Sequence, residues 1–291
     1  MKKIPDSELI INPDGSVFHL HLRPEQLADR IILVGDPARV EMVSAFFDTI
    51  ESRTANREFA SATGFYRGVR LTALSHGIGT DNIDIVMTEL DALANVDFET
   101  RTVREQKKKL HIVRLGTSGA LQPDLRVGDL ILAATSIGFD GLLNFYAGCK
   151  AVCDLGMEGT FVEHMKWSSR LAMPYFVHSS AFLNELFAEF TIPGITISAP
   201  GFYGPQGRVV RLPLADPEMN GKLETFRYGE KRILNFEMES SAVAGLAALL
   251  GHEATTICTI IAQRVKGDCA PDYAPYVKLM IELALEKMTG F

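Results

Sequence analysis

Short runs of β-branched and aliphatic residues recur along this chain, each broken by glycine and followed by a helical repeat. That alternation restricts the fold more than any other feature. The clearest unit is Arg30-Ile31-Ile32-Leu33-Val34-Gly35. Such a run, ended by glycine, reads as a buried strand. Asp36 then offers a helix N-cap, Pro37 suits the first helical turn, and Val40, Val43 and Phe47 keep a helical period. Residues 57–75 read as a hairpin turning at Arg67-Gly68, and Ile83, Val86, Met87 and Leu90 as one face of an amphipathic helix. Further strands are expected at 111–115, closed by Gly116-Thr117-Ser118-Gly119, and at 130–134, 195–198 and 255–261. Helices are expected at 182–190, at 240–250 with Gly251 as the stop, and at 276–288. Residues 98–109 read as an exposed loop or helix extension, and 139–175 show no regular pattern. No linker or internal repeat divides the chain. The prediction is a single three-layer α/β domain over residues 1–291.

Composition narrows the function classes. The chain has 291 residues, 47% hydrophobic and 22% charged, which suits a globular protein and not a disordered one. Lys+Arg is 29 against 36 Asp+Glu, a net charge of -7, so a nucleic-acid backbone is not an expected partner. Four cysteines, Cys149, Cys153, Cys258 and Cys269, do not form a disulfide framework or a C-x2-C zinc motif, and are expected as free thiols. The start of the chain lacks an apolar stretch of signal-peptide length, and no run is long enough for a membrane span. A cytoplasmic location with no membrane partner is expected.

In sheets of this kind ligands bind beyond the carboxyl ends of the strands. Gly35-Asp36-Pro37-Ala38-Arg39 occupies such a place, with free helix N–H groups and a forked cation. It reads either as an oxyanion cradle or as a tight turn with a surface arginine. Arg114 ends an otherwise apolar run ahead of Gly116-Thr117-Ser118-Gly119. A charge there needs a partner, either a ligand or a structural carboxylate. Glu237-Met238-Glu239 precedes a helix, where a carboxylate caps backbone or grips hydroxyl groups. Phe202 to Arg208 offers an aromatic plane, the Gln206 amide and a guanidinium, which suit a flat polar heterocycle or an ordinary surface loop. Neither a P-loop motif nor H-E-x-x-H is present, so neither a P-loop nucleotide site nor a metal site is expected.

Taken in order, Val17-Phe18-His19-Leu20, Gly35 through Val40, Asn56-Arg57-Glu58-Phe59, Arg114 through Ala120, Phe202 through Arg208, and Asn235 through Ser240 resemble the nucleoside phosphorylase family over nearly the whole chain. The resemblance implies a three-layer α/β/α single domain with a mixed central β-sheet. It implies that Gly35, Arg39, Arg114 and Thr117 hold phosphate, and that Arg57 reaches into the neighbouring subunit's phosphate site. His19 crosses the same interface to the ribose, which Glu237, Met238 and Glu239 also bind. Gln206 and Arg208 read the base, Phe202 packs near sugar and base, and Arg264 lies by the base pocket. Catalysis then rests on Arg114, Thr117, Gln206, Arg208 and Glu239. A homodimer or a trimer of dimers follows from the shared site.

The base is expected to be a pyrimidine. Purine-specific relatives carry an Asp after the strand matching 255–261, where this chain reads Ala262-Gln263-Arg264-Val265. The implied reaction is phosphorolysis of uridine, with phosphate as co-substrate and no cofactor or metal. A monovalent cation near Glu58 belongs to the family pattern, but Asn82 replaces the serine that helps hold it, which puts that site in question. His76 stands where a threonine is common, and 98–110 is longer than in compact relatives. Alternatives are a hydrolytic nucleosidase and a non-catalytic nucleoside sensor.

Overall fold

A computed structural model describes residues 2–291. Its main strands are β1 (Arg30–Val34), β2 (Thr49–Asn56), β3 (Phe59–Tyr66), β4 (Val69–Ser75), β5 (His111–Ala120), β6 (Leu130–Gly138), β7 (Tyr175–His178), β8 (Ile192–Ser198), β9 (Lys231–Glu237) and β10 (Glu253–Gln263). The helices that bear on the site are α1 (Pro37–Ser44), α2 (Thr80–Asn95), α3 (Leu155–Met165), α4 (Ala181–Phe187), α5 (Ser240–Leu250) and α6 (Ala274–Met288). One mixed sheet runs β9-β8-β6-β10-β5-β1-β4-β3-β2. β1 is parallel to β4 and β5, and β10 is parallel to β5 and antiparallel to β6. β9 also pairs antiparallel with β5, through Asn235↔Ala120 and Phe236↔Gly119. That extra ladder closes β5, β10, β6, β8 and β9 into a five-strand ring.

The three layers follow from side-chain alternation. In β1, Ile31 and Leu33 enter the core beneath α2 and α5, whereas Ile32 and Val34 enter the core beneath α1 and α6. A strand covered on both faces carries apolar residues at every position, which is why this run is continuous. A third core, with Phe161, Phe176, Ile197 and Phe236, packs α3 on the outside of the ring. Among the described residues no helix is long and apolar enough to cross a membrane.

Most expected elements are present, with differences at their ends. The 57–75 hairpin turns at Arg67 and Gly68, both at positive φ, as a type I′ turn requires. The strand expected to close at 115 runs on through Gly116 and Gly119 to Ala120, because its parallel ladder with β10 continues to Gln263↔Ala120. Residues 98–109 are a surface loop, apart from the two-residue ladder of Val96–Asp97 with Thr102–Val103. The patternless stretch 139–175 holds the short helix Cys149–Val152 and also α3. Cys149 and Cys153 are free thiols with their sulfurs 3.3 Å apart.

Candidate active site

A cavity of 730 Å³ opens along the C-terminal half of β5, from Gly116 to Gly119. At one end is the turn between β1 and α1. Asp36 caps α1, its side chain accepting the Ala38 N–H and its carbonyl the Arg39 N–H, both at 2.9 Å; with Pro37 lacking an N–H, the free helix N–H groups expected from the sequence are engaged within the turn itself. Arg39 lines this end, half-buried, and forms no ion pair with any described residue. Thr117, half-buried, lines the wall opposite the turn.

Arg114 is fully surrounded. Its Nη1 is ion-paired with Glu237 at 2.8 Å, its Nη2 donates to Glu239, and its Nε donates to His76 Nε2 at 3.1 Å. Gly116 makes this possible: a Cβ there would stand 2.7 Å from Arg114 Nη1 and 2.9 Å from Cys258 Sγ. Of the two alternatives left open for Arg114, the structure shows the carboxylate partners, and these themselves line the cavity. Burial works against the guanidinium charge, but Glu239 and Glu237 outweigh it and hold its pKa above the ordinary value. Burial pushes Glu239 up, with Arg114 opposing and Glu237 adding to the rise. The Cys258 thiol is pushed up to about 12 by burial, so it is no nucleophile.

Glu237 and Glu239 differ in their duties. Glu237 accepts from Ser198 Oγ at 2.6 Å, Ser240 Oγ at 2.7 Å and the N–H groups of Glu239 and Ser240, so it caps α5 with every lone pair engaged. Glu239 takes the Gly79 N–H at 2.7 Å and Arg114. Met238, half-buried, lies between them on the cavity wall.

The far end is built from one short loop. Gln206 is 3% exposed, and its Oε1 accepts from Arg208 Nη1 while its backbone carbonyl accepts from Arg264 Nη1 at 2.6 Å. Arg208 lies 3.7 Å over the Phe202 ring, a cation–π contact. Burial, reinforced by Arg264, pulls the Arg208 pKa down to about 10. Ile261 and Ala262 complete this end, and the Gln263 side chain turns away to donate to Gln122 and Leu125 carbonyls at 2.8 and 2.9 Å. The lining carboxylates, Asp36, Glu58, Glu237 and Glu239, all sit toward the other end or the middle.

His19, Arg57 and Arg264 do not line the cavity. Arg264 supports it, packing over Gly119 and holding the Gln206 loop. His19 and Arg57 lie together on an outer edge, joined where Asn56 Nδ2 donates to the His19 carbonyl at 2.8 Å. Arg57 is exposed at φ +54°, on the tip of the β2–β3 hairpin. Glu58 and Asn82 flank Gly77 closely, and no group of three or more metal-binding side chains occurs among the described residues.

Sequence reasoning missed two supporting residues. Glu89 in α2 accepts the His19 and Leu20 N–H groups and lies 2.6 Å from His19 Nδ1. Its signal was there: Glu89 is a buried acid beside the apolar face formed by Ile83, Val86, Met87 and Leu90. His76, marked in the sequence only as standing where a threonine is common, is fully buried against Arg114.

Comparisons with known proteins bear on family and fold. A family model described as the phosphorylase superfamily matches residues 29–289. A uridine phosphorylase of Thermococcus kodakarensis is 28% identical over 276 residues, covering 92% of this chain and 85% of that protein. A DeoD-type purine nucleoside phosphorylase of Tolumonas auensis is 27% identical, covering 83% of this chain and 84% of that one. The solved Trypanosoma brucei nucleoside phosphorylase, described as showing uridine phosphorylase activity, superposes with TM-score 0.86 at 27% identity, covering 97% of this chain and all of that one.

Proposed function

This chain belongs to the phosphorylase superfamily, and from that premise we propose that it cleaves uridine with phosphate, giving uracil and ribose 1-phosphate. The C1′–N1 bond breaks and its electron pair leaves with the base. A phosphate oxygen forms the new bond to C1′, and the uracil anion takes a proton from solvent. Charge develops in opposite senses at the two ends of the cavity, and the side chains are divided to match. Arg39, Thr117 and Gly35 hold phosphate beside Arg114, and the anion stabilises the oxocarbenium-like sugar. Glu239, with Met238 and the Glu237 cap behind it, takes the ribose hydroxyls. Gln206 and Arg208 hydrogen-bond the leaving base and stabilise its negative charge, with Phe202 against its face. Fixing both reactants in one cavity supplies the orientation term.

One observation carries the base preference: the end bearing Gln206 and Arg208 has no carboxylate, and Gln263 faces away. A purine leaving group is helped by an acid that protonates it, whereas a uracil anion is helped by donors alone. The names of the relatives include both uridine and purine nucleoside phosphorylases, so the reading of the base rests on this wall.

The working unit in this reading is a homodimer, or three such dimers together, with His19 and Arg57 of each chain completing the neighbouring cavity. Phosphate is a co-substrate and no cofactor takes part.

The test is uracil release from uridine with and without phosphate, with inosine in parallel. Release that requires phosphate, and little release of hypoxanthine, is expected. Equal release without phosphate makes the protein a nucleosidase, and release from inosine alone overturns the base preference.

A further inference from the structure

Arg114 needs an acceptor on the side away from the carboxylates. Its two Nη groups face Glu237 and Glu239, and its Nε–H points back toward the end of β4, where His76 Nε2 receives it at 3.1 Å. Both residues are buried, Arg114 at 4% exposure and His76 at 0%. We propose that His76 is the positioning residue for Arg114: as a neutral ring protonated at Nδ1, it accepts the Nε–H and so fixes the guanidinium fork toward Glu239 and the phosphate end of the cavity. The proposal rests on the phosphorylase reading for its kinetic consequence, though not for the contact itself.

The chemistry allows one state of the ring. A protonated imidazole has two N–H groups and no acceptor, and would set a second cation against Arg114. A neutral ring protonated at Nε2 would turn a donor toward a donor. Only the Nδ1–H tautomer fits, and Nδ1 is buried without a hydrogen-bond partner. The structure thus leaves one polar atom of the ring unsatisfied while engaging the other on Arg114. The Cε1 edge faces the anion turn, 3.8 Å from where a Gly35 Cβ would stand. Burial, with Arg114 and Arg39 adding repulsion and outweighing the opposing Gly77 backbone, holds the ring pKa well below the ordinary histidine range. The backbone does not depend on the side chain, since the His76 N–H is already held by the Val34 carbonyl at 2.9 Å.

The experiment uses the full chain with His76→Leu, which removes the acceptor, and His76→Gln, which keeps one. Phosphate dependence of uracil release is measured beside uridine affinity in the absence of phosphate. His76→Leu is expected to raise half-saturating phosphate by about tenfold or more, the weight of a hydrogen bond to a charged group. Uridine affinity should stay within about twofold and His76→Gln should restore most of the loss. Leucine and glutamine variants that are equally impaired, or a leucine variant that is unaltered, would overturn the proposal. Nitrogen NMR of the unaltered protein decides it without any variant: a non-protonated Nε2 on His76 is expected, and an Nε2–H or doubly protonated ring refutes it. A wild-type protein without phosphate-dependent activity would instead refute the phosphorylase reading, and the NMR result would still stand or fall alone.

Discussion

Arg39 and Arg114 stand at the same end of one cavity, yet removing them should have different effects. Arg39 has no ion pair among the described residues, so Arg39→Ala should leave stability within about 0.5 kcal/mol of wild type. Phosphate affinity should fall about 10- to 100-fold, the range of a lost charge-assisted hydrogen bond. Arg114→Ala leaves two buried carboxylates without their cation, and should cost about 3–5 kcal/mol of stability as well as activity. Urea unfolding and phosphate titration calorimetry separate the two, and equal destabilisation by both variants would contradict this division. His76 adds a pH signature. Its folded pKa is depressed by burial first and by Arg114 and Arg39 after it, while the unfolded ring titrates near about 6.5. The unfolded chain therefore binds the extra proton. The contribution of His76 is fully present above that pH and is lost as pH falls below it, by at most about 1.4 kcal/mol per pH unit. His76→Gln should flatten the acid side of a melting-temperature profile relative to wild type between pH 7 and 5. Profiles of equal slope would show that the ring ionises equally in both states.

At the scale of elements, glycines were the hardest residues to read. Gly116 and Gly119 looked like the closing turn of a strand, but they lie inside β5. Each is small because an arginine crosses it: Arg114 over Gly116 and Arg264 over Gly119. A single sequence gives no sign of which distant side chain will cross a strand. The same limit hid β9, whose Asn235 breaks the apolar run: its Oδ1 accepts from Thr196 Oγ1 of β8 at 2.8 Å, and its Nδ2 is buried with no partner among the described residues. By contrast, α5 was legible to both ends, because Glu237 caps it and Gly251 terminates it at φ +83°. The site residues were legible as separate motifs at strand ends, and the topology of the ring explains why they converge. The ladder of Phe236 with Gly119 brings the carboxylate strip to β5. Gly116→Ala should therefore fold but lose activity. Its Cβ would displace the Arg114 fork, costing about 1–3 kcal/mol by overpacking, and more than about tenfold in kcat/KM through misplacement. Circular dichroism with steady-state kinetics checks both halves, and full activity would mean that the fork position is not critical.

For the whole molecule, the cavity of a single chain lacks two groups that the proposed reaction uses. His19 and Arg57 sit on an outer edge, His19 steadied by Glu89 and Arg57 exposed at positive φ on a hairpin tip. The positive φ is what a tight hairpin turn requires, and it leaves the Arg57 side chain exposed at the tip. Ile78, 71% exposed at the cavity mouth, is an apolar side chain that a partner would cover. A two-fold dimer makes each contribution reciprocal. If so, Arg57→Ala and Arg114→Ala damage the same composite site from opposite chains. Each variant alone should be nearly inactive. When the two are co-expressed, random pairing makes half the dimers mixed, and each mixed dimer contains one cavity with both arginines intact. About a quarter of the sites should then recover wild-type turnover. Light scattering fixes the assembly, and kinetics on the tagged, separated heterodimer reads the recovered fraction. Recovery requires that Arg57 act across the interface. A heterodimer as inactive as its parents would place Arg57 in its own chain's chemistry, and the shared-site dimer would have to be abandoned.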